Sequence, residues 1–155
     1  MTHKELIKLG AKWLKQVEKC TVVVAEKSNG YEIPDLIAWR GARASILIEC
    51  KASRSDFRAD SKKWFREGNL GMGQTKYFLA PLGVIPADEI PQGWGLLEVE
   101  GATIQVTRKC DLLCFESEKS MAELPLLLAV VRKLQYQNSE LRKELRKYKK
   151  YKRKS

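Results

Sequence analysis

The stretch PDLIAWRGARASILIECK, residues 34–51, joins two apolar runs through Gly41 and ends with Glu49, Cys50 and Lys51. Successive side chains on a strand point to opposite faces. Leu47, Glu49 and Lys51 therefore share one face, and Ile46, Ile48 and Cys50 share the other. The second face belongs in the core, whereas the first passes abruptly from apolar to charged. The neighbouring strand carries Asp35, so two carboxylates and one amine are expected within a few ångströms of each other. Paired carboxylates repel and raise each other's pKa unless a cation joins them. Mg²⁺, with Mn²⁺ as substitute, takes oxygen ligands and keeps several waters. Asp35, Glu49 and the backbone carbonyl of Cys50 are the expected metal ligands. Such an ion polarises a phosphate oxygen and acidifies bound water. Lys51 would orient that water or stabilise charge on phosphorus. A structural Asp/Glu/Lys ion-pair cluster is the alternative for the same residues.

The flanking sequence predicts the elements that present these residues. Thr2-His3-Lys4-Glu5 is a capping box, and a helix follows to about Lys19 with Leu6, Gly10, Trp13, Leu14 and Val17 as its buried stripe. The β-branched run CTVVVAEK reads as the first strand, with Asn29-Gly30 turning the chain. YEIPDLIAWR reads as a second strand begun or bent by Pro34, and Ala44 to Lys51 as a third. Ser53 and Asp56 open a second helix whose apolar face holds Phe57, Ser61, Trp64 and Phe65, ending at Gly68. NLGMGQ is a glycine-containing loop, TKYFLAP a strand, IPADEIPQG a proline-bounded connection, and WGLLEVEG with ATIQVTRK a hairpin around Gly101. The order is that of an α/β sheet with helices packed on it.

Charge divides the chain. Its net charge is +10, and the segment from Arg132 onward carries 11 of its 29 Lys and Arg residues against two acidic ones. The remainder is nearly neutral, so the basic tail points to a polyanion, ordinarily nucleic acid, or else to a solvated helix face. In a heptad frame Leu124, Val131, Asn138, Leu145 and Lys152 occupy a positions, and Leu127, Leu134, Leu141 and Tyr148 occupy d. Val at a with Leu at d favours two parallel strands, and a single Asn at a fixes their register. A homodimer through this helix is the expected partner arrangement. Docking on the body is the alternative, above all from Leu124 to Leu134, where Leu126, Leu128 and Val130 widen the apolar face. Pro125 must lie in the first turns or kink the helix. The expected division is residues 1–118 as one domain and 119–155 as the basic helix.

No run approaches the ~18 apolar residues of a membrane span. The opening MTHKELIKLGAKW lacks the apolar core of a secretory signal. Cys20, Cys50, Cys110 and Cys114 are too scattered for a disulfide framework, and with His3 the sole histidine they suggest no zinc site. A cytoplasmic location is expected.

Pro34-Asp35, thirteen intervening residues and Glu49-Cys50-Lys51 resemble the PD-(D/E)xK nuclease signature. The helix, three strands, helix and strand around it resemble the αβββαβ, restriction-endonuclease-like core of that superfamily. The likeness is nearest to archaeal-type Holliday-junction resolvases and bacterial repair-associated relatives. It rests on Glu5 in the first helix, Asp35-Leu36-Ile37-Ala38, Ile48-Glu49-Cys50-Lys51 and ECKASRSDFRAD, and covers about residues 2 to 82. The resemblance implies a Mg²⁺-dependent DNA endonuclease of repair or recombination. Asp35 and Glu49 would bind metal and Lys51 would be the catalytic lysine. Glu5 or Glu26 would be the further acidic residue. Asp56 and Asp60 read as a helix-start and a surface carboxylate, and Gln74 is a weaker candidate for the site. Arg54, Arg58, Lys62 and Lys63, with Arg40 and Arg43 before the motif, would meet DNA electrostatically. A catalytically inactive nucleic-acid-binding or scaffold protein on the same fold is the competing reading.

Overall fold

The computed structural model describes all residues except 29, 31, 42, 43, 61–70, 112–116 and 153–155; at 60 and 117–121 it describes backbone but not side chains. The element order is α1 (His3–Gln16), β1 (Val22–Ala25), β2 (Leu36–Gly41), β3 (Ala44–Cys50), α2 (Arg54–Asp60), β4 (Thr75–Pro81), a 3₁₀ turn (Ala87–Glu89), β5 (Gly95–Glu100), β6 (Thr103–Arg108) and α3 (Ser117–Lys152). The chain thus has an α/β fold with an N-terminal helix, a mixed six-stranded sheet and a long C-terminal helix. The strands lie side by side in chain order. β1, β2 and β3 are antiparallel, β3, β4 and β5 run parallel, and β6 returns antiparallel. Parallel neighbours need crossovers rather than hairpins. α2 lies in the first of these and the 3₁₀ turn in the second.

The alternation expected of β3 is what the sheet uses, but both of its faces are covered. Ile46, Ile48 and Cys50 face the cluster built by Leu6, Ile7, Trp13 and Leu14 of α1. Leu47 faces a second cluster with Phe57 of α2, Met72, Phe78, Trp94 and Leu126 of α3. Phe57 meets Phe78 edge-on at 5.0 Å between centroids, which pins α2 to the sheet. α1 approaches closely because Gly10 has no side chain: a Cβ there would stand 2.7 Å from Leu36 Cδ1. The capping box forms as expected, with the Thr2 N–H donating to Glu5 Oε2 at 2.7 Å. Val17 departs from its expected burial. It is the C-cap of α1 and mostly exposed, because the helix ends one residue before it.

α3 is anchored by a carboxylate. Glu123 accepts hydrogen bonds from Trp39 Nε1 (2.7 Å) and Ser45 Oγ (2.7 Å), and from the Gly73 N–H (3.0 Å). The side chain ties β2, β3 and the loop before β4 to the helix. Gly73 has φ 85, and a Cβ there would stand 2.5 Å from that of Leu47, so this loop needs glycine on two counts. Leu126 is fully buried beside Glu123, so α3 packs on the body from Ala122 to Val130. Pro125 lies inside the helix rather than in its first turn and removes one backbone donor there.

Among the described residues no helix is long and apolar enough to cross a membrane. Glu123→Ala leaves three buried donors without their acceptor. We expect it to lower stability by about 2–4 kcal/mol in a denaturant titration; an unchanged midpoint contradicts the anchoring role.

Candidate active site

The site candidates collect where β1, β2 and β3 abut on one sheet end. Leu36 pairs with Ile48 and Ala25 with Leu36. One step beyond these pairs, Asp35 faces Glu49 on one side and Glu26 on the other. The Glu26 N–H donates to the Asp35 carbonyl at 3.1 Å, continuing the β1–β2 ladder. Asp35 Oδ2 accepts the Cys50 N–H at 2.7 Å, fastening the carboxylate to the end of β3. Asp35 is therefore fixed by its own side chain, directly after Pro34 has set the entry of the strand.

Glu49 and Lys51 are both buried. Their charged ends stand 3.8 Å apart, close enough for an ion pair but too far for a hydrogen bond. The Lys51 N–H donates to the Leu79 carbonyl at 2.8 Å, so β4 continues to hold the chain past the end of β3. Burial pushes the Cys50 thiol well above its ordinary range. The nearby Asp35 and Glu49 carboxylates, and more weakly Glu26, push in the same direction, while Lys51 opposes them. All four charged residues are thus near enough to Cys50 to act on it. The Cys50 thiol itself lies on the opposite, α1-facing side of β3.

The two candidates for the further acid separate clearly. Glu5 is held in the capping box, where the Thr2 backbone N–H first and the Thr2 hydroxyl second lower its pKa, and it is fully exposed. Glu26 follows β1 beside Asp35 and has a positive φ of 47. That left-handed backbone is uncommon for a residue with a Cβ and takes Glu26 out of the strand's regular alternation. Sequence reasoning missed His3. Its Nε2 lies 3.2 Å from Asp35 Oδ1, because the start of α1 reaches the same sheet end. Only the chain's single histidine standing two residues before Glu5 hinted at this.

The expected DNA contacts fare unequally. Arg54 of α2 pairs with Glu89 of the 3₁₀ turn, and Arg58 reaches the same carboxylate at 3.4 Å. Hydrogen bonding from Arg54 is the main cause of the lowered pKa of Glu89. Arg40 pairs with Glu18 at 3.2 Å. The Asp56 N–H donates to Ser53 Oγ at 3.2 Å, as a helix start requires. Gln74 Oε1 accepts the Ser45 N–H at 3.3 Å, which places Gln74 at the opposite end of β3 from Glu49. Arg43, Lys62, Lys63, Trp64, Phe65 and the side chain of Asp60 lie outside the described residues.

Among the described residues no three of His, Cys, Asp and Glu converge as a metal-binding group. The donors that a hard cation would meet at this sheet end are the carboxylates of Asp35 and Glu49 and the Cys50 carbonyl. An ion that retains most of its water shell requires no more protein ligands than these. The residues fit Mg²⁺ or Mn²⁺ and do not fit a softer metal.

No known family matches the chain, and no curated protein does. A solved structure does match: the SPO1766 protein of unknown function from Silicibacter pomeroyi, at 22% identity, with a TM-score of 0.66 over 89% of this chain and 92% of that one. At that identity the likeness establishes a shared fold.

The raised Cys50 pKa has a testable sign. The folded chain keeps this thiol protonated where the unfolded chain ionises, at about pH 8.5. The native state then binds more protons, so the contribution is complete below that pH and is lost as pH rises above it. Unfolding free energy should fall between pH 8 and 10, less steeply in Cys50→Ala. Identical slopes in the two proteins contradict the placement of this thiol.

Proposed function

We propose that the chain is a member of the PD-(D/E)xK superfamily and a metal-dependent DNA endonuclease. The observation that carries this reading is the fastening of Asp35 to the end of β3 by the 2.7 Å bond from the Cys50 N–H, beside Glu49 and Lys51. The αβββαβ order around it supports the same reading.

Asp35, Glu49 and the Cys50 carbonyl would hold Mg²⁺ or Mn²⁺. When bound, the ion supplies a polarised phosphate oxygen and an acidified water. The residues of the chain do the rest. Lys51 directs its ammonium at the attacking water or at charge growing on the phosphate. The oxygen of that water forms a bond to phosphorus, the bond to the leaving sugar oxygen breaks, and the leaving oxygen takes up a proton. Glu26 is better placed than Glu5 as the further acid, since Glu5 is occupied in its cap. The buried flanks of Lys51 keep its ammonium on the charged end of the strand and away from bulk water.

DNA is the proposed partner, with branched repair or recombination intermediates as the preferred substrates. Arg54 and Arg58 would have to exchange Glu89 for phosphate, so the first electrostatic contact falls to the exposed Lys and Arg of α3 beyond Arg132. That concentration of charge also favours the second reading, a non-catalytic nucleic-acid-binding or scaffold protein.

The test is cleavage of a four-way junction, a flap, linear duplex, single strand and RNA, with Mg²⁺, Mn²⁺ or EDTA. Asp35→Asn should abolish metal-dependent cutting, and Lys51→Met should slow it by about 10²–10³-fold, with circular dichroism unchanged. Removal of residues 132–155 should weaken binding and leave cutting detectable. Full activity in Asp35→Asn overturns the enzyme reading. Binding without cutting by the wild type, lost with the tail, supports the scaffold.

A further inference from the structure

α3 runs for 36 residues, about 54 Å at helical rise. Its apolar stripe is longer than the body it packs on, and the body uses only the first part. Glu123 and Leu126 are buried, and Leu127 and Val130 pack against the same cluster. Farther along, Val130, Lys133, Leu134 and Gln137 line an open groove of about 260 Å³ against Val23, Val24, Ala25 and Lys27, at the edge of the sheet. This docking spacing is three and four residues, ending at Gln137.

At 100° per residue Leu141, Leu145 and Tyr148 stand at the same angles as Glu123, Leu127 and Val130, five turns farther along, so the same stripe continues past the end of the body. Leu124, Leu128, Val131, Leu134, Leu141, Leu145 and Tyr148 are between 45% and 65% exposed, although five of them are leucine. They recur at heptad spacing over nearly the whole helix, interrupted at one place by Asn138. Docking on the body accounts for the seam at Leu127 and Leu134 and reaches no farther than Gln137, which leaves the seam open beyond it.

We propose that α3 forms a parallel two-stranded coiled coil with a second copy of this chain, through Val131, Asn138, Leu141, Leu145 and Tyr148, the seam positions that do not line the groove on the body. The inference stands apart from the cleavage reading. Three features select this occupant. Val at a and Leu at d suit two strands, and a lone Asn at a pairs best with its own copy. In the free chain Asn138 Oδ1 accepts from Arg142 Nε at 3.0 Å, which leaves the amide's N–H₂ to donate to the partner's Asn138 oxygen. In parallel register the flanking positions are complementary: Glu144 of one chain meets Lys149 of the other, and Gln137 meets Arg142, with no like-charge pair. Arg132, Lys143, Arg146, Lys147 and Lys150 then remain on the outer face. The seam and the basic surface are separate faces of one helix, so pairing leaves the polyanion-binding charge in water.

Sedimentation equilibrium of the full chain tests this. The wild type should weigh twice its 17.7 kDa. Leu141→Glu/Leu145→Glu should weigh 17.7 kDa with an unchanged circular dichroism spectrum, because both side chains already face solvent in the single chain. Orientation is read by Leu145→Cys under mild oxidation. In a parallel pair the two introduced thiols face each other and a disulfide-linked dimer forms well beyond the wild-type level. A monomeric wild type, a dimeric double variant, or the absence of that crosslink overturns the proposal.

Discussion

The bond from the Cys50 N–H to the Asp35 carboxylate is the contact on which the candidate chemistry depends. β2 and β3 are held together elsewhere by their apolar ladder, but the ladder alone does not aim Asp35. Its carboxylate lies one residue before β2, where the chain is emerging from Pro34. The 2.7 Å bond fixes it against the end of β3, next to Glu49. A charge-assisted bond of this kind is among the stronger neutral-to-ion contacts in proteins. The second carboxylate oxygen faces His3 Nε2 at 3.2 Å, so a group approaching from the sheet end would have to displace His3.

Polar and charged side chains are buried at several other points of this fold, with partners drawn from other elements. Glu98 accepts from the Gly83 N–H and from Thr107 Oγ1, and Glu123 from Trp39, Ser45 and Gly73. Lys76 is buried with its ammonium 5.5 Å from the Trp94 ring centre. Buried ionised groups are costly unless satisfied, and they favour one arrangement over its competitors. Here they fix how the helices and connections sit on the sheet. That matters because a site made from three strand ends requires all three in register.

Local pattern made much of this legible in the sequence. The Thr2–Glu5 cap, the alternation through Ile46 to Lys51, and the hairpin about Gly101 are decided by residues within one turn or one strand of each other. Asp35 and Glu49 were readable for the same reason, since an apolar strand that ends in charge is informative by itself. What escaped was long-range. Nothing local marks Glu123, whose donors come from 84, 78 and 50 residues away. Arg54 and Arg58 looked free for phosphate until the fold brought up Glu89. His3 looked like a terminal residue until α1 ended beside Asp35. On α3 the heptads were plain, but how far along the stripe the body would reach was set by tertiary contacts at Glu123 and Leu126, and no periodicity marks that limit.

The central claim is that Asp35 and Glu49 form a hard-cation site at the end of β3. Binding of Mn²⁺, followed by electron paramagnetic resonance with and without a DNA duplex, tests it most directly. The account predicts a bound ion that Mg²⁺ displaces, lost in Asp35→Asn and retained in Glu5→Gln. Equal binding by the wild type and Asp35→Asn, or none by the wild type under either condition, would contradict it.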